Sequence, residues 1–450
     1  MERTFKIRKG LDLRLEGEAP LTLRRPVRPS RCAVGPDDFY GMPVRLLVKE
    51  GDHVLAGSAL LTDKATETVN VTAPASGTVK AIVRGERRKL LRIEMETDET
   101  QESVDFGTLD PRTADGRQVT ELLLKAGLFA YFRQRPYDVV PSPAVQPKGI
   151  FVSAFSKMPL AADFSFVVKG REDDFKTGLL ALSKIAPVSL GICPEQEDAA
   201  FVPAEGCRIY AFDGPNPSGN VGVQINHIDP VNKGETVWTL GAEEVIFVGR
   251  LLRTGRLDLT RRIALAGWGV NEAGYVETIV GTPMADLVEG NLKTGRNLRI
   301  IDGNPLVGRK SGTDGFLGAH STEVCVIPEG DDVNEVLGWA APRLKDFSTS
   351  RSYFSWLMGK GKKYNLDCRI KGGERHIIMS GEYDRVLPMD IYAGYLIKAI
   401  LTGDIDRQEA LGIYEVAPED FAVAEFVDSS KLELQRIVRE GLDLLRKENA

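Results

Sequence analysis

Lys64, in "TDKAT", raises the first chemical question in this sequence, because lipoyl and biotinyl carrier domains display an attached arm on a lysine at a β-turn tip between two strand-like runs. A carrier domain follows that lysine with a matching second half of strands and another Gly-Asp turn. Here the following stretch, "RGERRKLLRIEMETDE", is strongly basic and then acidic, so an unmodified exposed lysine on a retained sandwich is expected. The five cysteines, at 32, 193, 207, 325 and 368, form no Cys-x-x-Cys, which argues against an iron–sulfur ferredoxin motif and a zinc ribbon. Odd in number and scattered, they read as reduced thiols serving as small buried hydrophobes. Histidines 53, 227, 320 and 376 are not spaced to share a metal, and no Ser/His/Asp order stands out. His227 and His320 could touch a ligand, but satisfied structural histidines are the expectation.

Two glycine motifs fail on chemistry. "GWG" at 267–269 follows a strand, as a dinucleotide fingerprint would, yet the position needing the third glycine is Glu272 and a strand follows instead of a helix. "GPNPSGN" (214–220) lacks the Lys and Ser/Thr of a phosphate-binding loop and reads as an ordered turn. A third cluster is unusual. "LFAYFRQRPYD" (128–138) interleaves Phe129, Tyr131, Phe132 and Tyr137 with Arg133 and Arg135. Aromatics beside cations suit a partner surface or a flat aromatic ligand, and equally a helix end that is part core and part solvated.

Composition bounds what these residues can serve. At 450 residues the chain has room for three or four domains, and its 42% hydrophobic and 27% charged residues are ordinary for a globular protein. A net charge of −6 with no basic stripe argues against nucleic acid as partner. "MERTFKIRKG" carries charge where an export signal needs an apolar run, and no apolar stretch approaches a membrane span.

The elements that would position these residues follow from periodicity. Between 30 and 100, Val69, Val71 and Ala73 alternate with Thr68, Asn70 and Thr72, and Val79, Ala81 and Val83 resume after the turn "PASG", predicting a small β sandwich. Strands "KGIFVSAF", "PVSLGIC" and "CRIYAFDG" alternating with helix "EDDFKTGLLALSKIA" predict an open α/β sheet. "AEEVIFVGRLLRTG" is a further helix stopped by Gly255. Strands at 261–267, 274–281 and 322–328 around helix 283–290 suggest a β-grasp module. Near the carboxyl end one helix is expected from an Asp390 cap to a Gly403 stop. Another opens on the capping box Ser430-x-x-Glu433, with Leu434, Ile437, Val438, Leu442 and Leu445 on one face. The reading is a multidomain α/β chain: a lipoyl-like barrel-sandwich (1–100), a Rossmann-like α/β domain (101–255), a β-grasp, SLBB-like domain (256–340) and a helical domain (341–450).

Several long strings together are similar to one family. "FKIRKGLDLRLEGEAP", "GPNPSGNVGVQINHIDPVNKGETVW", "IPEGDDVNEVLGWAAPRLKDFSTSRSYFSWL" and "YDRVLPMDIYAGYLIKAILTGDIDRQEALGIYEVAPED" resemble the A subunits of sodium-translocating NADH:quinone oxidoreductases, over residues 6 to 447. The resemblance implies a lipoyl-like domain without a lipoyl group, so Lys64 is scaffold. It implies a peripheral subunit on the cytoplasmic face of a bacterial inner membrane, partnered by subunits B, C, D, E and F, chiefly the membrane ones. The complex oxidises NADH, reduces ubiquinone or another quinone and exports sodium, with the NADH and sodium sites in other subunits. Related flavin-binding subunits of complex I and Rnf hold FMN on a glycine-rich loop. At the matching place here, "LLLKAGLFAYFRQRP", Gly127 stands alone and bulky rings follow it. No tightly bound cofactor is therefore expected. Ubiquinone is the expected ligand, near Phe132, Arg133, Arg135 and Tyr137, and no catalytic or metal-binding residue is assigned. Two alternatives remain: a carrier enzyme modified on Lys64, which an intact-mass increment would reveal, and an FMN or iron–sulfur electron-transfer subunit, which would be yellow or brown.

Overall fold

The computed structural model describes every residue except 203, 334–342, 350, 352, 360, 378–380 and 450. The expected boundary between 340 and 341 lies outside the described residues.

Near the amino end, two small antiparallel sheets form the predicted sandwich. One runs Arg31–Val34, Leu90–Thr97, Gly77–Arg84, His53–Val54, and the other Val44–Leu46, Ala59–Asp63, Asn70–Thr72. Val69, Val71, Ala73 and Val79 are all buried as expected, but so is Thr72, and after a register shift between Val79 and Ala81 it is Ile82, not Ala81 or Val83, that packs on the core. Lys64 is exposed, on the loop joining Ala59–Asp63 to Asn70–Thr72. Asp63 fixes that loop by accepting from the backbone N–H groups of Ala65 and Thr66.

A six-stranded sheet positions the rest. Ile150–Ser153 is flanked in parallel by Val188–Ile192 on one side and Val237–Thr239 on the other. Cys207–Asp213 and then Arg3–Lys6 extend the first side in parallel, while Arg133–Arg135 closes the second side antiparallel. Arg3–Lys6 thus joins this sheet and not the sandwich that follows it in sequence. Period-two alternation divides the central strand. Ile150 and Val152 face the helices Glu172–Ile185 and Ala242–Thr254, whereas Phe151 packs with Ile225 and Val237 on the opposite side. Buried on both faces, the strand reads as a continuous apolar run, as parallel strands do.

The two helices cross at glycines. A Cβ on Gly249 would lie 1.7 Å from the Asp174 carbonyl oxygen, and one on Gly178 would lie 2.2 Å from the Val245 carbonyl oxygen. Gly255 stops the second helix as expected, with φ 71° and its N–H on the Leu251 carbonyl.

The next five-stranded sheet is ordered Gly274–Ile279, Thr260–Ala266, Glu323–Pro328, Leu298–Asp302, Arg309–Ser311, with Met284–Val288 as its helix. At the carboxyl end the helices Ala393–Leu401 and Leu434–Glu448 form as predicted, and the five apolar residues of the latter are all buried. Their caps differ from the sequence reading. Helix 393–401 starts after Tyr392, and Asp390 is exposed and does not cap it, although Gly403, at φ 67°, follows its end. The Ser430–Glu433 capping box is not made. Glu425 accepts the Gln435 N–H at 2.8 Å, and Asp428 accepts those of Ser430 and Leu432. The helix begins only at Leu434, so Ser430 lies before it, Asp428 holds the chain ahead of the helix, and the carboxylate that meets a first-turn N–H is Glu425.

Candidate functional site

In an open α/β sheet, ligand crevices form outside the carboxyl ends of strands where the connections diverge. Here the chain leaves Ile150–Ser153 toward Val188–Ile192 and returns on the other side as Val237–Thr239. A cleft of about 840 Å³ opens at that point. Its floor is Ser153–Ser156 and Thr239–Glu244, and its walls come from six further stretches, Asp37–Tyr40, Arg133–Asp138, Met158–Val167, Gly219–Val221, Asp302–Glu323 and Pro418–Arg439. Phe155, Met158, Phe164, Val167 and Leu240 supply apolar surface.

Ion pairs from distant segments hold the walls together. Arg309 donates to Asp38 at 2.6 Å and to Asp302 at 3.0 Å, and the second Asp38 oxygen accepts the Ala319 N–H. Burial opposes charge on Arg309, but the two carboxylates outweigh it and hold the guanidinium more firmly protonated than usual. Arg439 donates to Asp138 and to the Tyr137 carbonyl, both at 2.8 Å. Arg135 is buried and donates to Asp420 at 2.7 Å and Glu419 at 3.0 Å. Desolvation at the cleft wall raises the Glu419 carboxyl above the usual carboxylate range, an effect Arg135 only partly offsets.

Deepest lies Arg261, fully buried. It donates to Glu244 at 2.9 Å and to the carbonyls of Ala319 and Ser321, and its Nε lies 3.1 Å from Glu243. Burial raises the Glu243 carboxyl and depresses His320, which stays neutral beside Arg133 and Arg261.

These carboxylates decide what the cleft can take. A phosphate would sit at a helix amino end, on vacant N–H groups and the positive end of the dipole. Glu243 and Glu244 occupy the first turn of Ala242–Thr254, and the Asp420 carboxylate lies against Gly222 in the first turn of Val221–Ile228. Both seats already hold negative charge. The lining as a whole carries eight acidic side chains against four guanidiniums, and even with burial raising Glu243, Asp302, Glu323 and Glu419 it offers an anionic nucleotide no net positive charge. Among the described residues no group of three His, Cys, Asp or Glu is placed to hold a metal ion. All five cysteines are free thiols, and burial pushes Cys32 up to about 12 and Cys207 up to about 11. Both are kept from the thiolate form that ligates metals.

The residues singled out in sequence part company here. Arg133 and Arg135 line the cleft. Phe132 does not; it is fully buried, 5.5 Å from Phe129 and from Trp238. Phe129 and Tyr131 are likewise core, Tyr131 meeting Phe39, His320 and Phe247 edge-on. Of the two readings the sequence left open, Phe129, Tyr131 and Phe132 follow the core one. Gly127, at φ 79°, ends helix Gly116–Ala126 against Thr72 of the sandwich, and the turn Leu128–Tyr131 then points the rings into the seam between the two domains. Tyr137 is half-buried against the carboxyl-terminal helices and does not line the cleft. Asp38, Glu243, Glu244, Arg309 and Glu419 were not anticipated. The only local signal was the acidic pair opening helix 242–254, which ordinarily means a solvated first turn.

A barrel-sandwich domain joined to an α/β sheet with a cleft at its switch point defines a multidomain α/β scaffold. Three family models match successive parts: the NqrA N-terminal barrel-sandwich hybrid domain at 5–98, the NqrA second alpha/beta domain at 114–257, and the NQRA C-terminal domain at 262–312. Relatives named as the A subunit of Na(+)-translocating NADH-quinone reductase match over nearly the full length. That of Rhodopirellula baltica is 37% identical over 98% of both chains, that of Teredinibacter turnerae 37% over 99% of this chain and 100% of its own, and that of Neisseria meningitidis 34% over 99% and 100%. The chain belongs to the NqrA family, the A subunits of Na(+)-translocating NADH-quinone reductases. An NAD+-reducing [NiFe]-hydrogenase structure in the H2-reduced state covers 48% of this chain and 50% of its own at 15% identity and TM-score 0.33, a likeness too slight to define a common fold.

Proposed function

We propose that this chain is the peripheral A subunit of a sodium-translocating NADH:quinone reductase, docked on the cytoplasmic face of the membrane through subunits B to F, chiefly the membrane ones. The observation that carries this reading is the full-length similarity to chains of that name. It is supported by the helices, none of which, among the described residues, is long and apolar enough to cross a membrane. The domains are Rossmann-like, β-grasp (SLBB-like) and helical after the sandwich, with the divisions at 100, 255 and 340. Co-purification from solubilised native membranes tests the assignment: membrane subunits of the reductase should accompany the chain, and their absence would overturn it.

Within that complex the switch-point cleft takes a quinone headgroup, and the chain carries no tightly bound flavin or iron–sulfur cluster. A quinone is uncharged and flat, so it suits apolar walls and avoids the repulsion a phosphate would meet. Arg133 is the cation best situated to polarise a quinone carbonyl, since it lines the cleft with one Nη on the Asp38 carbonyl at 2.5 Å. Arg135 is neutralised by its two carboxylates, and Phe132 and Tyr137 support the segment from behind. Labelling by a photoreactive quinone is expected to fall about tenfold in Arg133→Ala, the scale of one lost charged hydrogen bond, and less in Tyr137→Ala. Unchanged labelling in both would remove residues 132–137 from the site.

A further inference from the structure

The chain is acidic overall, yet residues 343–363 hold six cationic side chains and one carboxylate. In their midst the short 3-10 helix Phe354–Met358 turns only Ser355 inward. Phe354, Trp356, Leu357 and Met358 are each about half exposed or more, from 47% for Trp356 to 63% for Leu357. No other five-residue stretch among the described residues exposes so many large apolar side chains.

The tip is presented on an anchored base. Phe347 and Tyr364 meet edge-on at 5.2 Å, and Tyr364 exchanges backbone hydrogen bonds with Arg14 and Glu16. Cations surround the tip: the Arg351 guanidinium stacks over Trp356 at 5.4 Å, and Lys362 lies over Tyr364 at 5.1 Å. Lys363 reaches Glu18, itself an exposed pair.

A soluble surface pays in solvation and aggregation for such a tip unless something covers it. A specific protein interface needs roughly 800 Å² on each partner with a polar rim, which a five-residue tip in a segment of six cations and one carboxylate does not resemble. Apolar and aromatic side chains flanked by Lys and Arg are instead the composition of segments that sit at the bilayer interface, the rings at headgroup depth and the cations on anionic lipid phosphates.

We infer that the 354–358 tip is a membrane-contact element that inserts Phe354, Trp356, Leu357 and Met358 among the headgroups of anionic phospholipids. This rests on the peripheral placement proposed above and not on the quinone reading. The test is flotation of the purified full-length chain with vesicles of phosphatidylcholine alone or with a quarter phosphatidylglycerol. Binding is expected only to the anionic vesicles. It should fall about tenfold in Trp356→Ser/Leu357→Ser at any salt concentration, and about tenfold in Arg351→Gln/Lys362→Gln at low salt. Trp356, Leu357 and Arg351 are exposed and Lys362 is half-buried, so both variants should stay folded with a melting temperature close to the parent's. A parent chain that floats with neither vesicle overturns the inference, as does a Trp356→Ser/Leu357→Ser variant that floats like the parent. If the parent fails to float while that variant fails to rejoin the membrane subunits, the tip docks on protein and the lipid assignment is wrong.

Discussion

Arg261→Met is expected to cost about 3–5 kcal/mol of stability, the usual penalty for stranding one partner of a buried ion pair. Two carboxylates, Glu243 and Glu244, face this guanidinium with essentially no access to water, and two carbonyls depend on it as well. It also joins the α/β sheet to the sheet that follows, because Arg261 is on strand Thr260–Ala266 and its partners open helix Ala242–Thr254. Urea unfolding followed by helical circular dichroism measures the loss. The sign of its pH dependence is fixed. Burial already raises the Glu243 carboxyl, and removing Arg261 raises it further, so the folded variant binds protons that the unfolded chain releases. The penalty is therefore largest at alkaline pH and shrinks as pH falls toward the unfolded carboxylate pKa. Replacing all three charges, as Arg261→Met/Glu243→Leu/Glu244→Met, should recover part of the stability: Arg261, Glu243 and Glu244 no longer leave one another's charge unpaired, although the Arg262 N–H loses its Glu243 acceptor and the Ala319 and Ser321 carbonyls lose their donor. A loss below about 1 kcal/mol in the single variant would mean that water reaches the pair and that the cleft floor is open to solvent.

Gly249→Ala should be the second most damaging change, and it sets two effects against each other. Alanine favours a helix by about 0.5–1 kcal/mol over glycine. Its Cβ, however, would stand 1.7 Å from the Asp174 carbonyl oxygen and 2.8 Å from the Gly178 nitrogen, both backbone atoms that no rotamer change can move. The helices must separate, and overpacking of this kind costs about 1–3 kcal/mol or more. Overpacking wins, so the variant should melt lower. Because the displaced helix carries Glu243 and Glu244 into the cleft floor, quinone labelling should fall with it. A variant as stable as the parent would show that the two helices are not in backbone contact.

Much of this was legible in the residue pattern. Alternation gave the sandwich strands as far as the register shift after Val79, and the five-residue apolar stripe from Leu434 to Leu445 gave the last helix, because side-chain periodicity depends on local geometry. Cap residues were less secure. Ser430 and Asp390 have the right chemistry, but a cap depends on where the helix starts: the last one begins only at Leu434, and a first-turn N–H meets Glu425 from a turn the pattern did not address. The aromatic cluster 128–138 divided for a similar reason. Sequence marks Phe132 and Arg133 as neighbours, yet a strand sends successive side chains to opposite sides, so one entered the core and the other the cleft.

By itself the sequence determined many of the strands and helices, the scattered thiols, the broken glycine fingerprint and a family resemblance carried by long strings. Each depends on residue type and near neighbours. Only the tertiary structure decided that Glu243, Glu244 and Arg261 are buried together, that Arg309 bridges Asp38 and Asp302, and that segments from Asp37 to Arg439 converge on one cleft. A buried charge is tolerable only when its counter-charge arrives from elsewhere in the chain. No window of sequence holds both halves of that condition.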